Sequence, residues 1–558
     1  MASQSTSILQ QVDSQLEQIL AGWNIYTTVI CIIFGLYLIY PLFYYADPDI
    51  HPLLLARQSS ASPVRQPGES ATFRSLETPY GYPLKTGLNV KDPGAPKWTS
   101  GKDGDLRDVW KRAVSGPVDN DGKPTGEPGK VLTVLGKEEV VEHSFAKLSG
   151  EINAIGQHVK IHGQGRVAIY LPNSVELIVS LFAATFYGLN PILIPPDQTL
   201  DTLAGILTET RAEVLIAGAG ALPLNELLQK YKSLKQIIWV VERTSRHMDW
   251  NEVPEGVGGK ADIAVWHDII DEKASTPSEL PTEIPGGAVP DVLCVVEDRM
   301  SALDSYEIVT FTQKNIVAAV AAQISVLPRN HRLAPTDLLT PLAPLTDIYP
   351  LTVTLAALYS NASLALTPVS GSNVPYTAAF QGVSPTIVIA GTPTISNHYK
   401  SEQRFQSQQL GLSHWWKSRS LDAGVMPKAS GTGNLRLIYT YDKSNSGSVP
   451  LSPSELYALR LFTGARFVYA FTDPRVAGAV AQTNILDYAK RETGESTHSH
   501  FGPPLSSVEI KMKDTDESKS EGNRSVGQLV ISGPAVVGGE VVADQVTCIT
   551  DENTLAYV

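Results

Sequence analysis

The chain has 558 residues, 43% of them hydrophobic and 18% charged, with a formal net charge of −13. That length supports two or more packed domains, and the composition excludes a disordered chain. The acidic balance excludes nucleic acid as the main partner, because backbone binding needs clustered Lys and Arg.

In chain order, residues 1–24 come first. Ile8, Leu9, Val12, Leu16, Ile19 and Leu20 fall at helical spacing, which fits either an amphipathic helix lying on a membrane or a packed terminal helix. Residues 25–45, "IYTTVICIIFGLYLIYPLFYY", carry no charge over about the 20 residues that a bilayer-spanning helix needs. Trp23 on one side and Tyr44 and Tyr45 on the other suit the two interfacial belts. A signal peptide would have a shorter apolar run, a preceding Lys or Arg and a small-residue cleavage site. We therefore expect a single transmembrane helix. Arg57 and Arg65 follow it while only Asp13 and Glu17 precede it, so the positive-inside rule places the large C-terminal part in the cytosol. The sequons at Asn361 and Asn523 should then stay bare.

Residues 46–135 are rich in Pro, Gly, Ser and charge and read as a linker with little core of its own. From about residue 136 the pattern changes. Strands such as "GRVAIYLPN", "NPILIPPD", "EVLIAG" and "KQIIWVVE" alternate with helical stretches such as "SVELIVSLFAATFYGL". This predicts an α/β fold with a mostly parallel sheet covered on both faces. A second α/β stretch runs over 291–394, and the tail from about Leu435 mixes short strands with turns. Cys31, Cys294 and Cys548 are too few and too scattered for a disulfide framework or a metal cage, which indicates a reducing compartment.

Residues 163–218, "GQGRVAIYLPN…EVLIAG", resemble the N-terminal part of the AMP-forming acyl-activating (adenylate-forming) superfamily. The membrane-anchored long-chain fatty-acid–CoA ligases are the nearest kind. The likeness runs in order over roughly 140–545. "PLAPLTDIYP" resembles "LPLAHIFE", "GSVPLSPSE" resembles "GGAPLSPE", "VYAFTD" resembles "GYGLTE", and "VGQLVISGPAVVGG" resembles "GEICVRGPNVFKGY". The resemblance implies a large acyl-CoA ligase-like domain of layered α/β sheets plus a β-rich part over 136–558. Such enzymes join a carboxylate to ATP and pass the acyl group to CoA, using Mg²⁺ and a C-terminal subdomain that supplies a Lys. We expect that subdomain to be absent, with "CITD" a vestige of the family's "HTGD" and Ile549 at its glycine position.

Set against the family's phosphate loop, "YTSGSTGxPKGVxLTHxN", residues 298–315 read "DRMSALDSYEIVTFTQKN". Ser301 and Asp304 replace two glycines, Leu303 a Thr and Glu307 the Lys; Asp298 adds a further negative charge. Glycines let backbone N–H groups approach phosphate. Like charges about 4 Å apart repel by about 4 kcal/mol at an effective dielectric near 20, so a phosphate loop in the strand–loop–helix frame has lost its contents. Asp347 stands where the family has a His that gates the acyl channel; the alternative, which we prefer, is an N-cap of the following helix. In "YAFTD" the resemblance gives Tyr469 as the adenine-stacking aromatic, Thr472 as the phosphate-contacting Thr and Asp473 as the metal-binding carboxylate, with Ala470 in place of a Gly. They are either a remnant nucleotide site or residues that close a turn.

Three functional readings follow. The first is a membrane-anchored, catalytically inactive relative of long-chain acyl-CoA ligases, needing no cofactor, that acts as a scaffold or acyl-binding protein at the endoplasmic reticulum. Its partners would be membrane lipid, a fatty acyl ligand, an active ligase or another membrane protein. The second is an active ATP-, Mg²⁺- and CoA-dependent ligase with a divergent site or a partner's C-terminal domain. In the third, residues 1–45 form a lipid tether and are the functional part.

Overall fold

A computed structural model describes residues 17, 21–44, 47–91, 94–96, 98–118, 124–135, 139–162, 165–241, 261–273, 279–284, 287–298, 305–369, 371, 374–406, 412–427, 434–444, 446–490, 497–516, 518–520 and 525–558. The segment considered for an amphipathic helix lies almost wholly outside these residues.

The described residues form three sheets. The first has seven strands and is parallel from Val292–Asp298 through Asn190–Leu193, Arg166–Tyr170, Val214–Gly218 and Gln236–Val240 to Asp262–Val265; Ser305–Phe311 closes one edge antiparallel. The second has eight strands and is parallel across its middle, including Leu338–Pro341, Ile387–Gly391, Leu437–Lys443 and Arg466–Thr472. The third has six strands and is antiparallel throughout. The expected α/β fold with a β-rich part is what the sheets form. The parallel strands read as continuous apolar runs because helices cover both of their faces. Val175–Tyr187 is buried except at Glu176, and Ile348–Leu358 of the helix Ile348–Tyr359 is buried throughout.

The linker reading of residues 46–135 is corrected. Ser59–Arg65 and Ala71–Ser75 pair with each other and, through Phe73 and Arg74, with Glu509–Lys513 of the six-stranded sheet. Val131–Leu135 joins the eight-stranded sheet beside Ser363–Leu366. Leu106–Ser115 starts at Asp105 with a capping box, and its Trp110 is fully buried against Phe145 and Phe182 at centroid distances of 5.4 and 4.7 Å. Pro and Gly here shape turns between short elements that borrow their core from distant parts of the chain. Composition alone reads such a stretch as a tether.

Ile25–Tyr44 is a helix of 20 residues, with side chains such as Ile30, Phe34 and Leu38 exposed. Among the described residues, no helix is long and apolar enough to cross a membrane. Asn361 is buried in a left-handed turn, so that sequon is closed off by packing whatever its compartment; Asn523 lies outside the described residues.

Candidate functional site

A cleft of ≈570 Å³ opens where the three sheets meet. Parallel strands end together, and the groups just past their carboxyl ends face a common crevice. Leu437–Lys443 and Arg466–Thr472 pair in register, so Asp442 lies opposite Phe471 and Lys443 opposite Thr472. Asp473, Pro474 and Arg475 continue directly from the second of these strands. The seven-stranded sheet contributes Glu297, Tyr306 and Glu307, and the six-stranded sheet contributes Asp544. Asn173, just after Arg166–Tyr170, is buried; it donates to Ala343 O and accepts from Leu345 N, both at 2.8 Å. That ties the first sheet to the segment that carries Asp347.

The strand–loop–helix frame expected for residues 298–315 is corrected, because it holds an additional strand. Val292–Asp298 and Ser305–Phe311 form an antiparallel hairpin, with Glu307 on its second strand opposite Val296. The following helix, Gln313–Ser325, starts at Thr312, whose hydroxyl accepts from Asn315 N while Asn315 Oδ1 accepts from Thr312 N. Asn315 Nδ2 also donates to Pro534 O and Val536 O, at 2.8 and 3.1 Å. The retained "TFTQKN" is therefore a cap and a clamp onto the third sheet. Ser301, Leu303 and Asp304 lie outside the described residues.

Glu307 Oε1 accepts from Arg475 Nε at 2.9 Å. Both side chains are about half exposed, so solvent screens this charge well below the value expected in a closed site. Asp347 stands at the N-cap of Ile348–Tyr359 but makes no capping bond, which corrects the cap reading. Its carboxylate instead accepts from Tyr441 Oη at 3.0 Å and pairs with Lys443 at 2.7 Å. It therefore faces the cleft.

The "YAFTD" residues take different places. Tyr469 is fully buried, packed 4.8 Å from the Phe501 ring, and its hydroxyl accepts from Leu451 N at 3.1 Å. In this conformation the ring shows no face to the cleft, so the stacking role that the resemblance implied does not fit. Thr472 Oγ1 donates inward to Asp442 O at 3.0 Å. Asp473 is buried and accepts from Ser444 Oγ at 2.9 Å and Arg475 N at 3.0 Å; burial pushes its carboxyl above the usual carboxylate range.

Asp442 and Lys443 escaped the sequence reading. Asp442 is 2% exposed and is pushed up to about 6 by burial, although hydroxyls of Ser446, Ser448 and Tyr557 donate to it. The signal was present in "LIYTYDKS", where an apolar strand ends abruptly in charge.

Six acids line the cleft among the described residues, namely Asp197, Glu297, Glu307, Asp347, Asp442 and Asp544. Only Lys443 and Arg475 oppose them, and each is already matched by a carboxylate. A nucleotide triphosphate needs cations and N–H donors. These described residues do not fit one.

The sequence matches the family model described as AMP-binding enzyme over residues 123–281 and 308–539, more than half of its length. The chain belongs to that family. No curated protein sequence matches it. Among solved structures, an anthranilate CoA ligase in complex with anthranoyl-AMP is similar at 16% identity and a TM-score of 0.57, covering 84% of this chain and 79% of that one. A long-chain-fatty-acid-CoA ligase from Archaeoglobus fulgidus is similar at 14% identity and a TM-score of 0.57, covering 85% of this chain and 86% of that one. A benzoate CoA ligase from Burkholderia xenovorans is similar at 13% identity and a TM-score of 0.56, covering 81% and 79%. The fold is that of the acyl- and aryl-CoA ligases.

Proposed function

We propose that the chain is a membrane-anchored, non-catalytic member of the AMP-binding family that serves as a scaffold or acyl-binding protein. The observation that carries this reading is the charge pairing in the cleft. Lys443 and Arg475 are engaged by Asp347 and Glu307, which leaves the mouth net acidic among the described residues. A polyanion entering there must displace a carboxylate from each cation and then lie beside it. The uncharged helix Ile25–Tyr44 supports the anchor, and flanking charge supports a cytosolic domain; the endoplasmic reticulum rests on the resemblance to long-chain fatty-acid–CoA ligases alone. The fold outlives the chemistry because burial in the sheets stabilises it independently of any ligand.

ATP–pyrophosphate exchange by the purified full chain with a long-chain fatty acid tests the reading. We expect none above background, and Mg-ATP should give no saturable heat by calorimetry. Exchange that saturates with ATP would overturn it.

The retained carboxylate of Asp473, next to the cleft, favours a second reading, an active ligase completed by a partner's C-terminal domain. Under that reading, exchange in the presence of a related ligase would be lost with Asp473→Ala.

A further inference from the structure

We propose that the helices Pro52–Leu55 and Leu412–Asp422 form a membrane-docking surface, which seats the folded domain on the lipid headgroup region beside its anchor. The inference rests on the anchor reading above.

The first observation is a latch. Asp49 follows the end of the apolar helix Ile25–Tyr44 by five residues, at most about 17 Å of extended chain. Its carboxylate accepts from Arg466 at 2.9 Å, from Tyr488 Oη at 2.7 Å and from Met426 N at 3.4 Å. Its own N–H donates to Gly424 O at 2.9 Å. A Cβ on Gly424 would come to 3.0 Å from the Pro48 ring, so Pro48 packs closely there. The chain leaving the anchor is thus fixed to the domain at once, and the domain surface around this point stays near the bilayer.

The second observation is what that surface displays. Just after the latch, Leu53 and Leu54 are 75% and 60% exposed on the helix Pro52–Leu55. Gly424 lies two residues past the helix Leu412–Asp422, which about two turns earlier carries Trp415 and Trp416, 50% and 42% exposed. The two indoles contact each other edge-on at 4.8 Å, and the Arg419 guanidinium lies 5.6 Å from the Trp415 ring centroid. Adjacent exposed indoles cost solvation in water, whereas the interface takes both the ring and its N–H. Lys417 and Arg419 on the same helix suit anionic headgroups. The short tether selects lipid as the occupant, because any other partner would have to compete with a bilayer that is always within reach.

The test uses the full chain in nanodiscs of phosphatidylcholine and phosphatidylserine, with or without brominated acyl chains, read by tryptophan fluorescence. Subtracting a W415F/W416F variant isolates the two indoles, and subtracting a W23F variant isolates Trp23, which reports insertion of the anchor. We expect bromolipid to quench both components. A quenched Trp23 with unquenched Trp415 and Trp416 overturns the docking surface and leaves the anchor standing, whether those indoles are then open to aqueous iodide or covered by a second copy. Loss of quenching at all three overturns both. Asp49→Ala, which releases the latch, should reduce quenching of the paired indoles while leaving Trp23 unchanged.

Discussion

Arg475 donates from Nε to Glu307 Oε1 at 2.9 Å, joining the end of one sheet to the edge hairpin of another across the mouth of the cleft. Among the described residues, the pair engages one of the two cations that line the cleft.

Glu307→Lys should therefore change nucleotide binding more than fold. It reverses a half-exposed charge and frees Arg475, so the variant should give a saturable Mg-ATP heat where the parent gives none. Calorimetry on the variant and the parent checks this. Equal and negligible heats in both would mean that the cleft rejects nucleotide for a reason other than charge.

Asp442 gives a pH dependence whose sign follows from burial. Its folded-state value of about 6 lies above the ordinary carboxylate value of 3.8. The folded state therefore holds a proton that the unfolded chain has released between those values. This site opposes folding most above pH 6, and the penalty fades as pH falls toward 4. Asp442→Asn should raise neutral-pH stability by about 2–3 kcal/mol, an advantage that shrinks toward pH 4. Thermal denaturation at pH 7.5 and pH 4.5 checks it; a constant difference would contradict the assignment.

Asp337 is 3% exposed at its side chain and receives Arg436 Nε and Nη2 at 2.7 and 2.6 Å. Removing one partner strands a buried charge, at about 3–5 kcal/mol. Arg436→Met should lower the denaturation midpoint by that amount, whereas Lys130→Met, from the exposed pair with Glu142, should change it by less than about 1 kcal/mol.

Trp110 tests whether residues 46–135 belong to the folded body. Trp110→Ala removes a fully buried ring between Phe145 and Phe182 and the bond from Nε1 to Ser149 at 3.1 Å. The cost should be about 3–5 kcal/mol in urea unfolding. A cost near zero would restore the tether reading.

Much of the fold was legible in the sequence, because the continuous apolar strands and the helices between them are local patterns. Burial writes such patterns into consecutive residues, as in "VAIYL" and "LFAATFY". The strand that carries Glu307 was missed, since "SYEIVTF" alternates weakly and pairs with Val292–Asp298. Asp347 went astray for a related reason. An Asp before a helix predicts a cap, but Lys443 and Tyr441, about a hundred residues away, offered its carboxylate better partners.

By itself the sequence determined the strand–helix alternation and the uncharged run at 25–45, both of which are properties of neighbouring residues. Tertiary structure alone decided which charges meet. Arg475 neutralising Glu307, Asp442 enclosed by hydroxyls, and Trp110 drawing a Pro/Gly-rich segment into the core each depend on contacts between distant parts of the chain. Electrostatic energy and burial depend on distance in space, and a linear string leaves that distance open until the sheets assemble.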